Sequence, residues 1–122
     1  MDIDIDRARG CVTAFGRVTP ESAMDLTLVA LTAARARRLR TLLFAFERLA
    51  LTRPLSILEA HSFAERMAHT GRGVARTAFV INTECAAVTR HLVTAAANRG
   101  LEAAAFVAQP DALAWLDAAA SP

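Results

Sequence analysis

The sequence predicts an α/β domain built on a mostly parallel sheet of four or five strands, flanked by about four helices. Three observations predict it. Short, continuously apolar runs, Leu42-Leu43-Phe44-Ala45-Phe46 and Thr77-Ala78-Phe79-Val80-Ile81, have the form of strands buried on both faces of a sheet. They alternate with amphipathic stretches of roughly 10–18 residues, the length of crossover helices. Of the 122 residues, 54% are hydrophobic and twenty-eight are alanine, a side chain small enough to let helices sit close to a sheet. A chain of this length buries roughly two thirds of its unfolded surface, enough for a core without disulfides or metal. Nothing resembling a linker divides it, so residues 1–122 read as one domain.

Ile3 and Ile5 alternate with Asp2, Asp4 and Asp6, a period of two that predicts a strand with the isoleucines on one face. Residues 7–10 read as a turn and residues 11–18 as the second strand of a hairpin. Thr19-Pro20-Glu21 is a helix start, with an N-cap hydroxyl, a proline in the first helical position and an acid facing the positive end of the helix dipole. This helix is expected to reach about Arg38 and to bury Met24, Leu28 and Leu31. After the strand at 42–46, residues 47–53 are expected to form a connection. Pro54 then opens a second helix that ends before Gly71-Arg72-Gly73. The strand at 77–81 leads to a third helix over about 84–98, stopped by Gly100 in the left-handed conformation. Residues 103–107 give a last strand and 110–119 a last helix, with Leu113 and Leu116 turned inward and Trp115 nearby.

All fourteen basic residues are arginine, and lysine and tyrosine are absent, which excludes chemistry through a Schiff-base lysine, a P-loop lysine or a tyrosine acid. The pI is near 9.0, yet a net charge of +2 over twelve acids and fourteen arginines is a mixed surface, so no nucleic-acid partner is expected. Cys11 and Cys85 lack CxxC spacing and are expected as reduced thiols. The acidic start has no apolar core of a secretory signal, and no apolar run approaches the roughly 20 residues that span a bilayer. The expectation is a cytoplasmic protein with at most peripheral membrane contact.

Candidate chemistry is sparse. Gly71-Arg72-Gly73 follows a helix and opens a strand, the reverse of a dinucleotide-binding loop, and reads as a helix end and turn. His61, Glu65 and His69 share one stripe of the second helix, but the two histidines are two turns, about 12 Å, apart, too far for one ion. His91 stands alone on the third helix and reads as a surface residue. The aspartates at 2, 4 and 6 suit an edge strand that discourages pairing. Cys85, near the first turn of the third helix, reads as an inert thiol. No catalytic residue, metal or cofactor is expected.

The second helix is the least tidy element. On a helical wheel Ile57, Ala60, Phe63, Ala64, Met67 and Ala68 form a core-facing arc, whereas Leu55 and Leu58 fall opposite, beside Glu59, Ser62 and Arg66. With Leu49 and Leu51 they make an apolar cluster. It is either a satellite of the core or an exposed patch for a ligand, a membrane surface or a protein.

Several strings resemble the bacterial SpoIIAA-like family of STAS-type domains. They are Gly16-Arg-Val-Thr-Pro-Glu, the 42–46 run, Phe63-Ala64-Glu65-Arg66-Met67, and Asn98-Arg-Gly-Leu-Glu through Phe106 to Asp111-Ala-Leu-Ala-Trp-Leu. The resemblance covers nearly the whole chain and implies a small STAS-like module that acts by binding. Some STAS domains are anti-sigma-factor antagonists switched by serine phosphorylation. The SpoIIAA-like branch is similar in shape to lipid-binding CRAL-TRIO domains, which implies an apolar ligand or a lipid surface. Where the antagonists carry Asp-Ser-Ser/Thr-Gly, this chain has Arg53-Pro54-Leu55-Ser56, with proline and leucine in place of hydroxyls. The expected role is therefore a non-enzymatic binding module. Leu51, Leu55 and Leu58 would contact an apolar small molecule, lipid or partner, and Pro54 would stiffen the start of the helix. A phosphorylation switch at Ser56, with a regulatory protein partner, is the alternative. A homodimer is also expected, since leftover apolar surface favours self-association.

Overall fold

The computed structural model describes residues 2–4 and 9–120. Five strands, β1 (Asp2–Asp4), β2 (Arg9–Val18), β3 (Thr41–Leu51), β4 (Arg76–Val80) and β5 (Ala103–Phe106), are joined to four helices, α1 (Pro20–Ala36), α2 (Ile57–Thr70), α3 (Ala86–Asn98) and α4 (Gln109–Ala120). A 3-10 turn at Thr83–Cys85 leads into α3. The strands lie in chain order in one sheet, β1 antiparallel to β2 and the other neighbours parallel. This is the expected α/β architecture, opened by the expected hairpin. Arg9 and Gly10, read as turn, belong to β2 instead. Ile5, Asp6 and Arg7 lie outside the described residues, as do the side chains of Asp2, Ile3 and Asp4.

Strands taken in order with right-handed crossovers put every connecting helix on one face of the sheet. Accordingly α1, α2 and α3 share one core with Leu42, Phe44, Phe46 and Phe79. α4 follows the last strand and covers the opposite face, where Ala112 and Leu116 meet Leu43, Ala78 and Val80. Alternate residues of β3 and β4 thus feed two cores, which is why both strands read as unbroken apolar runs.

β3 is longer than its apolar run suggests. Thr13 pairs with Ala45 but Phe15 pairs with Arg48, so β3 carries one extra residue in a bulge. The bulge reverses the side-chain parity. Even-numbered Leu42, Phe44 and Phe46 face the three-helix core before it, and odd-numbered Leu49 faces that core after it. Residues 47–51, expected as connection, are therefore strand, held against β2 as far as Val18 and Leu51.

The punctuation follows local chemistry. Thr19 Oγ1 accepts the Ser22 N–H at 3.0 Å and Pro20 occupies the first turn of α1. The backbone turns out of this helix through Arg38 at φ 55, a left-handed conformation that disfavours a side chain. Gly100, at φ 102, ends α3 as expected. α4 is tied down by two arginines. Arg9, buried in β2, donates to Asp117 at 2.8 Å and to Thr41 Oγ1 at 3.1 Å. Arg76 donates to the Trp115 carbonyl at 2.6 Å and lies 4.7 Å from the centre of the indole ring.

Thr77, fully buried in β4, has a hydroxyl with no hydrogen-bond partner among the described residues. A buried unsatisfied hydroxyl costs about 1–3 kcal/mol. Thr77→Val keeps the shape and removes the group, so urea unfolding should give a midpoint equal to or above that of the wild type. A midpoint lower by more than about 1 kcal/mol equivalent would mean the hydroxyl is satisfied.

Candidate functional site: an apolar cavity at the carboxyl ends of the strands

In a parallel sheet the helices that follow the strands all begin at one edge, so the N-terminal turns of α1, α2 and α3 cluster at the carboxyl ends of β2, β3 and β4. Between them lies a cavity of about 90 Å³. Phe46, Phe79 and Ile81 line it from the sheet, and the bulged end of β3 adds Leu49 and Leu51. Ala23 and Met24 come from α1, Phe63 and Met67 from α2, and Val88 and Leu92 from α3. Thr27, Thr89 and Cys85 bring the polar atoms. Burial, and secondarily the charge of Glu84, pushes the Cys85 thiol above its ordinary value, which makes it a poor nucleophile.

The residues singled out in the sequence separate here. Leu51 and Leu55 line the cavity. Pro54 is exposed in the bend before α2 and is not part of the lining. Leu58 does not join Leu55: it is 83% exposed and points outward. Ile57, placed by the wheel on the core arc, is 65% exposed. The reason is the helix boundary. α2 begins at Ile57 with Ser56 as its N-cap, so Leu55 lies on extended chain where a 100° wheel has no meaning, and Ile57 sits in the first turn beyond the edge of the core.

Ser56 is a structural residue of the first rank. Its hydroxyl accepts the Glu59 N–H at 3.1 Å, while the Glu59 carboxylate accepts the Ser56 N–H at 3.0 Å, a reciprocal capping box. Arg53 grips the same carboxylate from the chain that precedes the helix. It holds Glu59 through both carboxylate oxygens, at 2.9 and 2.8 Å, and also pairs with Glu21 in the first turn of α1. Arg53 thereby ties the start of α2 to the start of α1, on either side of the cavity. Hydrogen bonding from Arg53, then from the Ser56 backbone, holds the Glu59 carboxyl at about 2. Glu21 is lowered first by its own backbone N–H and further by Arg53.

These depressed values set a pH window. Glu59 ionises more readily in the fold than in the unfolded chain, so its contribution is complete above its ordinary value of 4.5 and disappears as pH falls towards about 2. Glu59→Gln keeps the capping geometry and drops the charge. Thermal melts should show the variant less stable than the wild type above the window, with the difference shrinking to nothing at its acid end. A difference independent of pH would show that the ion pair contributes nothing, as exposed pairs sometimes do.

Two contacts between elements go unread in the sequence. The Asn82 side chain donates to the Leu49 carbonyl at 3.0 Å and accepts the Cys85 N–H at 3.2 Å, joining the bulged end of β3 to the start of α3. His91, read as solitary, meets His61 of α2 with their Nε2 atoms 3.3 Å apart. An Asn before a 3-10 turn was available as a capping signal for the first. Nothing local signals the second, because it depends on how α2 and α3 pack.

Comparisons with protein-family models, with curated proteins and with solved structures found no match. Among the described residues no helix is long and apolar enough to cross a membrane, and no group of three or more His, Cys, Asp or Glu is placed to hold a metal ion.

Proposed function

We propose that this chain is a non-enzymatic binding module that takes the end of an aliphatic chain into the cavity between α1, α2 and α3. The observation that carries this reading is the lining: the sheet and three helices contribute almost entirely apolar side chains to one space. A cavity of about 90 Å³ is smaller than the ~150 Å³ apolar cavity that accommodates benzene. It fits a few methylenes, and a longer chain requires the start of α2 to move outward. The Arg53 clamp is the contact that such a movement would release. Ile57 and Leu58, exposed beside the same segment, offer apolar surface to whatever lipid or protein delivers the ligand. The resemblance to SpoIIAA-like STAS domains points the same way, and it rests on the sequence strings alone.

Each buried methylene contributes about 0.8 kcal/mol, so affinity for a series of linear fatty acids should rise about fourfold per added methylene until the chain outgrows the cavity. Calorimetric titration from butanoate to decanoate tests this. Affinity that is flat across the series would remove the reading. Native mass spectrometry of freshly purified protein adds the ligand carried from the cell and reports whether the chain is a homodimer.

The second reading, a partner-switching regulator phosphorylated on Ser56, has one observation in its favour: Ser56 is an exposed helix N-cap, where dipole and N–H groups favour an anion. Against it, the hydroxyl already caps the helix and the Glu59 carboxylate lies against the same residue, where a phosphate would be repelled. Incubation with a serine kinase of the anti-sigma type, followed by mass spectrometry, decides it: this reading requires phosphate on Ser56.

A further inference from the structure

The geometry points to a second, separate site: we propose that His61 and His91 bind one tetrahedral divalent transition-metal ion of the zinc class, bridging α2 and α3. The two side chains come from different helices and thirty positions apart, and both are exposed to solvent. Their Nε2 atoms face one another at 3.3 Å, and the ring centres are 5.1 Å apart. Two imidazoles on one tetrahedral ion, with bonds of about 2.0–2.1 Å, hold their nitrogens about 3.3–3.4 Å apart and their ring centres about 5.2 Å apart.

Both imidazoles are neutral ligands once their facing nitrogens carry lone pairs. A ring that carries its proton on Nε2 shifts it to its own Nδ1 on binding, which leaves two acceptor nitrogens for the ion. Among the described residues no third protein ligand is in place, so water fills the remaining positions and the site stays open to an exogenous ligand. Glu65, one turn along α2 from His61 on the same stripe, adds negative charge near the ion. The α2–α3 pair that the ion would clamp also walls the apolar cavity, but the metal site stands on its own geometry and needs no ligand there.

The test is titration of tag-free protein with zinc chloride by calorimetry, with thermal melts in parallel. One ion per chain is expected, with a melting temperature that rises with zinc concentration. Losing even an outer-shell partner typically costs about 10–100-fold in metal affinity. His61→Ala and His91→Ala should therefore each weaken binding at least tenfold and abolish the thermal shift. His69→Ala, on the same helix, should change neither. Because all three side chains are exposed, the unliganded melts of the variants should match the wild type. Absence of zinc binding, binding that survives either His61→Ala or His91→Ala, or binding lost with His69→Ala would overturn the assignment.

Discussion

Phe44→Ala is expected to lower the stability of the domain by about 3–5 kcal/mol, the cost of emptying a fully buried aromatic site. Phe44 is completely buried in the central part of β3, and its ring stacks on that of Phe79 at 4.8 Å and 9°. Phe46 tilts against it at 5.2 Å. The three rings are the aromatic part of the sheet's contribution to the three-helix core, and the alanines that share this core are too small to fill the space left behind. Natural domains are stable by only about 5–15 kcal/mol, so this single change removes a large share. Urea unfolding should show a lower midpoint with an unchanged slope. A loss below about 1 kcal/mol would mean that the core is held elsewhere.

The strands and helices that feed this core were legible because their signals are local. The apolar runs at 42–46 and 77–81, the Thr19-Pro20 cap and Gly100 each act within a few residues. What escaped was what depends on neighbours. The strand character of residues 47–51 comes from pairing with β2 across a bulge, and polar Glu47 and Arg48 at that bulge look like the start of a loop. The same bulge turns Leu49 towards the helices and brings Leu51 to the cavity, a parity change that no periodic template contains. Leu58 shares a face with Leu55 only on a helix continued through its N-cap, and α2 starts after Ser56. The Arg53 bridge to Glu21 and the meeting of His61 with His91 span 32 and 30 positions and exist only in the folded packing.

Ala23→Leu is the second change with a large expected effect, here on binding. Ala23 lies on α1 and lines the cavity from the side opposite α3. Leucine adds three carbons to a space of about 90 Å³, which a ligand's terminal methylenes would otherwise occupy. Filling an apolar cavity commonly adds about 0.5–2 kcal/mol of stability, so the variant should melt at or above the wild-type temperature. Loss of binding in a protein of undiminished stability separates blocked space from lost fold. Leu58→Ser provides the complement, since it removes exposed apolar surface and leaves the cavity intact.

The most direct measurement is titration of decanoate into the wild type, Ala23→Leu and Leu58→Ser, with melts recorded on the same samples. Occupation of the cavity predicts affinity reduced at least roughly tenfold by Ala23→Leu, equivalent to two or more methylenes excluded at about 0.8 kcal/mol each, and little changed by Leu58→Ser. Undiminished binding by Ala23→Leu, or binding lost only with Leu58→Ser, would place the ligand on the outer surface of α2 and contradict the account.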